Sequence, residues 1–115
     1  MKAILPFALA ALAFAAPAAA QTANDDLICV AWAANSGDQA SSEEEKDVMA
    51  MAMFYYIGRW EAATGRPLEA GLTPKFVADN YKAISTAGPT CQGRMLELAK
   101  RMQVAGQALI NSSKR

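Results

Sequence analysis

Ser41-Ser42-Glu43-Glu44-Glu45-Lys46-Asp47 runs directly into Val48-Met49-Ala50-Met51-Ala52-Met53-Phe54-Tyr55-Tyr56-Ile57-Gly58, and this stretch decides the fold. Ser41 and Ser42 each have a Glu three residues on, Glu44 and Glu45. That is the capping-box spacing, in which a hydroxyl and a carboxylate satisfy the open N–H groups of a helix start. The acids also suit the positive end of the helix. Ten apolar residues then follow without a break, Val48 to Ile57, with none of the alternation a half-buried strand requires. A helix apolar on every side belongs in the middle of a fold, with partners on several faces. Gly58 offers room for another backbone to approach. Arg59, Trp60 and Glu61 return the helix to water, and Gly65 with Pro67 ends it. The spacing predicts one long helix from Ser42 to Thr64.

Helical signals continue on both sides. Upstream, a short helix is predicted from Asp25 to Ala34, capped by Asn24 and stopped by Asn35-Ser36-Gly37-Asp38. Downstream, Thr73-Pro74 pairs a cap with a proline at the first helical position and opens a third helix, which Gly88-Pro89 ends. A fourth runs from Thr90 to about Asn111, with Met95, Leu98, Ala99, Met102, Ala105, Gly106 and Leu109 at three- and four-residue steps, an amphipathic stripe that fits against a core. The expected fold class is all-α: a small four-helix, disulfide-linked orthogonal bundle in a single domain, residues 21–115.

Residues 1–20 read as an address. Lys2 supplies a positive start, Ala3 to Ala16 an apolar centre broken only by Pro6, and Ala18-Ala19-Ala20 a small-residue ending. This is the layout of a secretory signal peptide, with cleavage expected between Ala20 and Gln21 and the product expected in a bacterial periplasm. The apolar run is short for a membrane span, and no other run is long enough, so no stable membrane insertion is expected. A large part of the 53% hydrophobic content therefore belongs to the leader.

Cys29 and Cys91 both lie beyond the leader and are the chain's two cysteines. In an exported domain an even count reads as one disulfide. Closing a loop of about 60 residues contributes about 4 kcal/mol in the chain-entropy picture. No Cys-x-x-Cys is present to suggest redox catalysis.

The chemistry is bounded by what is missing. The chain has no His, which removes Ser-His-Asp, Cys-His and His-ligated metal sites. Eleven basic residues balance eleven acidic ones, so no nucleic-acid partner is expected. Paired carboxylates can work without imidazole, but Asp25/Asp26 and Glu43 to Asp47 sit at helix starts, where acids are favoured for structural reasons. Glu43, Glu44, Glu45 and Asp47 on a helix lack the loop geometry that calcium requires. No catalytic residue, cofactor or metal is expected, and the chain reads as a non-enzyme.

Three features bear on partners. Met49, Met51, Met53, Met95 and Met102 fall in stretches expected to be buried, where they fill a core, although methionine also makes adaptable binding surfaces. Tyr55, Tyr56 and Trp60 pose the same choice, with Trp60, at the edge of the apolar run, the first candidate for an exposed anchor on a client or partner. The neutral total hides two opposed halves: Asp25 to Glu61 carries eight acids and two bases, Ala62 to Arg115 three acids and eight bases. Either the acidic second helix pairs with the basic fourth inside one molecule, or the polarity serves head-to-tail or isologous association, or a charged partner.

Cys29-Val30-Ala31-Trp32 in a short first helix, the Phe54 to Trp60 stretch with Gly58, Leu72-Thr73-Pro74 and Cys91 opening the last helix together form a layout that resembles HdeA-type periplasmic acid-stress chaperones. The segment between the two cysteines is long for that family. The resemblance implies an all-helical disulfide-linked fold, a homodimer at neutral pH, and unfolded clients held on apolar surface exposed in acid. Glu43, Glu44, Glu45 and Asp47 would then be the pH-sensing acids, losing their charge at about pH 4. Tyr55-Tyr56-Ile57-Gly58 is also similar to the central segment of small exported immunity proteins that neutralise secreted amidases. That likeness implies tight inhibition of one toxin enzyme, although those proteins carry more cysteines near the segment. A structural or accessory periplasmic protein is the third reading.

Overall fold

The computed structural model describes the backbone of residues 5–114 and the side chains of residues 22–114. Six helices follow one another: α1 Leu5–Asp38, α2 Glu43–Thr64, α3 Leu68–Gly71, α4 Pro74–Asp79, α5 Tyr81–Ser85 and α6 Gly88–Ser113. Among the described residues there is no strand, and the fold is all-α. The expected leader falls on residues whose side chains, and in part backbone, lie outside the described residues.

The long central helix forms for the reasons its sequence gives. Ser42 adopts an extended cap, and its Oγ accepts the Glu45 N–H at 3.2 Å. Glu45 reaches back to accept the Ser41 N–H, also at 3.2 Å, so the box closes one residue upstream of the cap. At the far end Gly65 takes φ 66°, the left-handed conformation that glycine adopts without a Cβ penalty, and its N–H reaches the Glu61 carbonyl at 2.8 Å. Thr73 caps α4 through the Phe76 N–H at 3.1 Å.

The helix count corrects the four expected. The first helix does not begin at Asp25 behind an Asn24 cap: α1 is continuous from Leu5, because Gln21-Thr22-Ala23-Asn24 contains neither Gly nor Pro to break it. The predicted third helix divides at Asn80, whose side-chain Nδ2 and backbone N–H both donate to the Phe76 carbonyl, at 2.8 and 3.0 Å. Asn80 itself takes φ −115° and ψ 16°, outside the helical region, and this kink, with its side chain bonded back to Phe76, separates α4 from α5. An additional turn, α3, forms after Pro67, where Glu61 Oε2 accepts the Leu68 N–H at 2.8 Å. Gly88-Pro89 opens α6 instead of only closing what precedes it, since proline lacks an N–H that the first turn leaves unbonded anyway.

α1 and α2, joined by four residues, make the principal packed pair, with α5 and the start of α6 against α1. Val30, Ala33, Ala52, Tyr56, Ile84 and Ala87 form the core around a disulfide between Cys29 and Cys91. The disulfide ties α1 to the first turn of α6. A smaller cluster joins Ala23, Leu27 and Trp60, with Leu68, Leu72 and Phe76 against it. Gly71 belongs to this cluster by necessity, because a Cβ there would overlap the Trp60 ring.

Two helices bury less than their sequences suggest. α2 is apolar all round but buries only the face of Ala52, Tyr56 and Trp60, leaving Val48, Met51 and Phe54 in water, Phe54 with 72% of its surface. α6 buries Cys91 alone; Met95 and Leu98 are half-buried, and the same stripe continues through Met102 and Leu109 with nothing over it. The five methionines therefore do not share a core: Met51 and Met102 are exposed, while Met49, Met53 and Met95 pack at its edge.

Candidate functional site

α1 repeats Asp26, Val30 and Ala33 at four- and three-residue steps, which puts a carboxylate on its core-facing side. Asp26 is 1% exposed. α2 brings Arg59 to it, with Nε donating to Oδ1 at 3.1 Å and Oδ2 at 3.3 Å. α6 brings Arg94, whose Nη2 donates to Oδ1. One buried carboxylate thus gathers guanidiniums from two other helices, beside the disulfide: Arg94 Nη1 lies 3.7 Å from Cys29 Sγ. The arginines also cover the tyrosines, Arg94 standing 4.7 Å over the Tyr56 ring and Arg59 5.8 Å over that of Tyr55. Tyr56 donates its hydroxyl proton to the Cys91 carbonyl at 2.7 Å.

The electrostatics follow from this packing. Burial raises the Tyr56 phenol above its ordinary value, with the Arg94 charge opposing. Hydrogen bonding to Asp26 raises Arg59, with desolvation opposing. Among the described residues no buried side-chain polar atom lacks a partner. An open cleft of about 450 Å³ lies over this cluster, lined by Asp25, Ile28, Arg59, Thr86, Thr90 and Arg94. Both Asp26 oxygens are engaged by guanidinium N–H groups, so the cluster's evident work is to hold α1, α2 and α6 together at the disulfide.

A second feature is apolar. Trp32 from α1, Val48, Met49 and Ala52 from α2, and Met95 and Leu96 from α6 line an open groove of about 430 Å³. Its walls are flexible side chains on rigid helices, the composition of an adaptable binding surface.

The sequence-derived candidates are distributed unevenly. Cys29 and Cys91 meet as a disulfide. Glu43, Glu44, Glu45 and Asp47 stand exposed along the first turns of α2; Glu43 pairs with Lys46 at 3.3 Å and Glu45 serves the cap. Trp60 is not the exposed anchor expected of it: 3% of its surface is accessible, because it lies on the Ala52–Tyr56 face. Tyr56 is buried, and Tyr55 is half-buried. The exposed aromatic of α2 is Phe54. The acidic turns of α2 and the basic residues of α6 do not pair within the molecule among the described residues; Lys46 bonds Glu43 and Lys100 bonds Glu97, each inside its own helix.

Sequence reading missed Asp26, Arg59 and Arg94. Asp26 reads as a helix-start acid when the first helix is taken to begin at Asp25. The available signal was three charges in register with apolar faces, Asp26 with Val30 and Ala33, Arg59 beside Tyr55 and Tyr56, and Arg94 between Cys91 and Leu98.

Among the described residues no group of three acidic or cysteine side chains could hold a metal ion, and no helix is long and apolar enough to cross a membrane. No protein-family model matches the chain, and neither a curated protein nor a solved structure matches it.

Proposed function

We propose that this is an exported, non-enzymatic helical protein of the periplasm that holds unfolded polypeptides on apolar surface, in the manner of HdeA-like acid-stress chaperones. The observation that carries the reading is the groove between α2 and α6, walled by Trp32, Val48, Met49, Met95 and Leu96. Burying apolar client surface there is favourable by about 25 cal/mol per Å². Methionine side chains fit varied partners at little strain.

The acid response lies in Glu43, Glu44, Glu45 and Asp47. They flank the α2 end of the groove, and their one basic neighbour in the run is Lys46, which pairs with Glu43. As pH falls through the ordinary carboxylate range, near pH 4, these groups become neutral and the groove loses its negative border. Loss of this negative border is the change that frees the groove for clients. The disulfide between Cys29 and Cys91 ties the α1 and α6 walls of the groove together meanwhile.

The test is aggregation of a model client at about pH 2–3, below the carboxylate values, followed by light scattering with and without the protein. Suppression, with a gain of dye-accessible apolar surface, is expected. Unchanged aggregation would sink the reading, and capture of a single stoichiometric enzyme at neutral pH would favour the inhibitor alternative.

A further inference from the structure

Asp26 carries one charge and accepts from two cations. Arg59 Nε and Arg94 Nη2 both donate to its Oδ1, so two guanidiniums are held side by side over a single carboxylate that is 1% exposed. Like charges so close repel, and one carboxylate offsets half of the pair's charge. Among the described residues neither arginine bonds another carboxylate. Asp25 borders the pair from one side, exposed to water and bonded to neither. On the other side, between α2 and α6, the same two arginines line a cleft of about 530 Å³. Arg101 adds a third guanidinium to it, with no ion pair of its own among the described residues. The cleft's one acid, Glu97, bonds Lys100 at 3.3 Å. Two positive charges are left over: one from the Asp26 trio and one from Arg101.

The shape of the cleft adds independent observations. The Arg94 side chain is 27% exposed, and Asp26 holds both arginine heads, so their orientation is fixed before anything binds. Gly93 lines the cleft, and no atom stands within 4 Å of where its Cβ would be. Glycine inside a helix is costly relative to alanine, and here it leaves the α6 backbone open to close approach. Tyr55 and Leu98, both half-buried, supply an apolar wall beside the three cations. A cleft of this volume accommodates a small molecule.

We propose that this cleft binds a small phosphomonoester, its phosphate held by Arg59, Arg94 and Arg101 and its organic part laid against Tyr55 and Leu98. The planar fork of a guanidinium matches phosphate oxygens two at a time. A phosphomonoester carries close to two negative charges at neutral pH, which matches the two positive charges left over, whereas a carboxylate brings one. Bound there, the phosphate also relieves the repulsion between Arg59 and Arg94 that Asp26 alone leaves. The first turn of α6, at Pro89 and Thr90, adds the positive end of a helix dipole at the rim. This cleft shares no residue with the apolar groove assigned to clients, so it stands or falls separately from client binding.

Isothermal titration calorimetry of the purified protein with phenyl phosphate, at constant ionic strength, tests the site, with inorganic phosphate and benzoate as comparisons. Saturable binding at one site per chain is expected, tighter for phenyl phosphate than for inorganic phosphate and at least about tenfold tighter than for benzoate. R101Q, a change at an exposed position, weakens phenyl phosphate by about tenfold. G93L fills the cleft without meeting another atom at its Cβ, and abolishes saturable binding while the circular dichroism spectrum stays that of wild type. The chain has no His, so weakening between about pH 7.5 and 5.5 reports loss of the ligand's second charge. No saturable heat with phenyl phosphate, benzoate or inorganic phosphate bound as tightly as the ester, or binding unmoved by both R101Q and G93L would each overturn the proposal. The R101Q arm holds even where G93L disturbs folding.

Discussion

Replacing Asp26 with Asn tests the clamp that positions the helices. The carboxylate is 1% exposed and accepts from Arg59 Nε at 3.1 and 3.3 Å and from Arg94 Nη2. Asn keeps the shape but turns one acceptor into a donor facing guanidinium N–H groups and removes the charge both arginines were compensated by. Breaking a fully buried pair costs about 3–5 kcal/mol. Here the arginine side chains remain 42% and 27% exposed, so water can solvate what the substitution frees. The discounted cost is about 2–3 kcal/mol, which for a domain of this size lowers Tm by about 10–20 °C. Thermal unfolding followed by circular dichroism under non-reducing conditions gives the shift directly. A double-mutant cycle should show stronger coupling of Asp26 to Arg94 than to Arg59, because Arg94 is the less exposed of the two. A D26N protein that melts within a few degrees of wild type would refute the assignment of the clamp as a principal link between α1, α2 and α6.

Two further predictions concern the core. G71A places a methyl group against the buried Trp60 ring and within 3.1 Å of Leu27 Cδ2, and overpacking of this kind should cost about 1–3 kcal/mol in urea unfolding; an unchanged midpoint would contradict the packing described. Tyr56 has a raised phenol, so the folded chain keeps its proton to higher pH than the unfolded chain does. Its contribution to stability is complete below about pH 10 and is lost as pH rises through the raised value. Y56F should cost about 1 kcal/mol at neutral pH through the lost bond to the Cys91 carbonyl and should flatten the alkaline loss seen in urea midpoints; a loss as steep as that of wild type would place the titration elsewhere.

Local rules read the helices well and their environment less well. Ser42, Gly65 and Thr73 act as caps because capping is decided by neighbours within four residues. The break at Asn80 and the start of α6 at Gly88 were harder to read, since an Asn side chain can cap or interrupt and a proline can close one helix or open the next. Burial was the main failure. The run from Val48 to Ile57 is apolar at every position, so its periodicity cannot tell which face meets a neighbour. Tertiary packing selects Ala52, Tyr56 and Trp60, and Phe54 is left in water instead of Trp60. Likewise the stripe on α6 is regular from Met95 to Leu109, but the rest of the chain reaches only as far as Leu98. The Asp26 clamp was invisible as a unit because its members lie 33 and 68 residues apart, and each has an ordinary local explanation. The disulfide was legible because a chain with two cysteines admits one intramolecular pairing.

The apolar groove is the centre of the functional proposal, and Val48 and Leu96 are its accessible rim. V48K/L96K adds two charges there that persist in acid, at positions where a lysine can extend into water without disturbing the core. The decisive measurement is light scattering of an acid-unfolded client at about pH 3 in the presence of the wild-type protein or of this variant. Strong suppression by wild type and little by V48K/L96K is the predicted result, whereas equal suppression by the two, or none by either, would contradict the assignment of client binding to this groove.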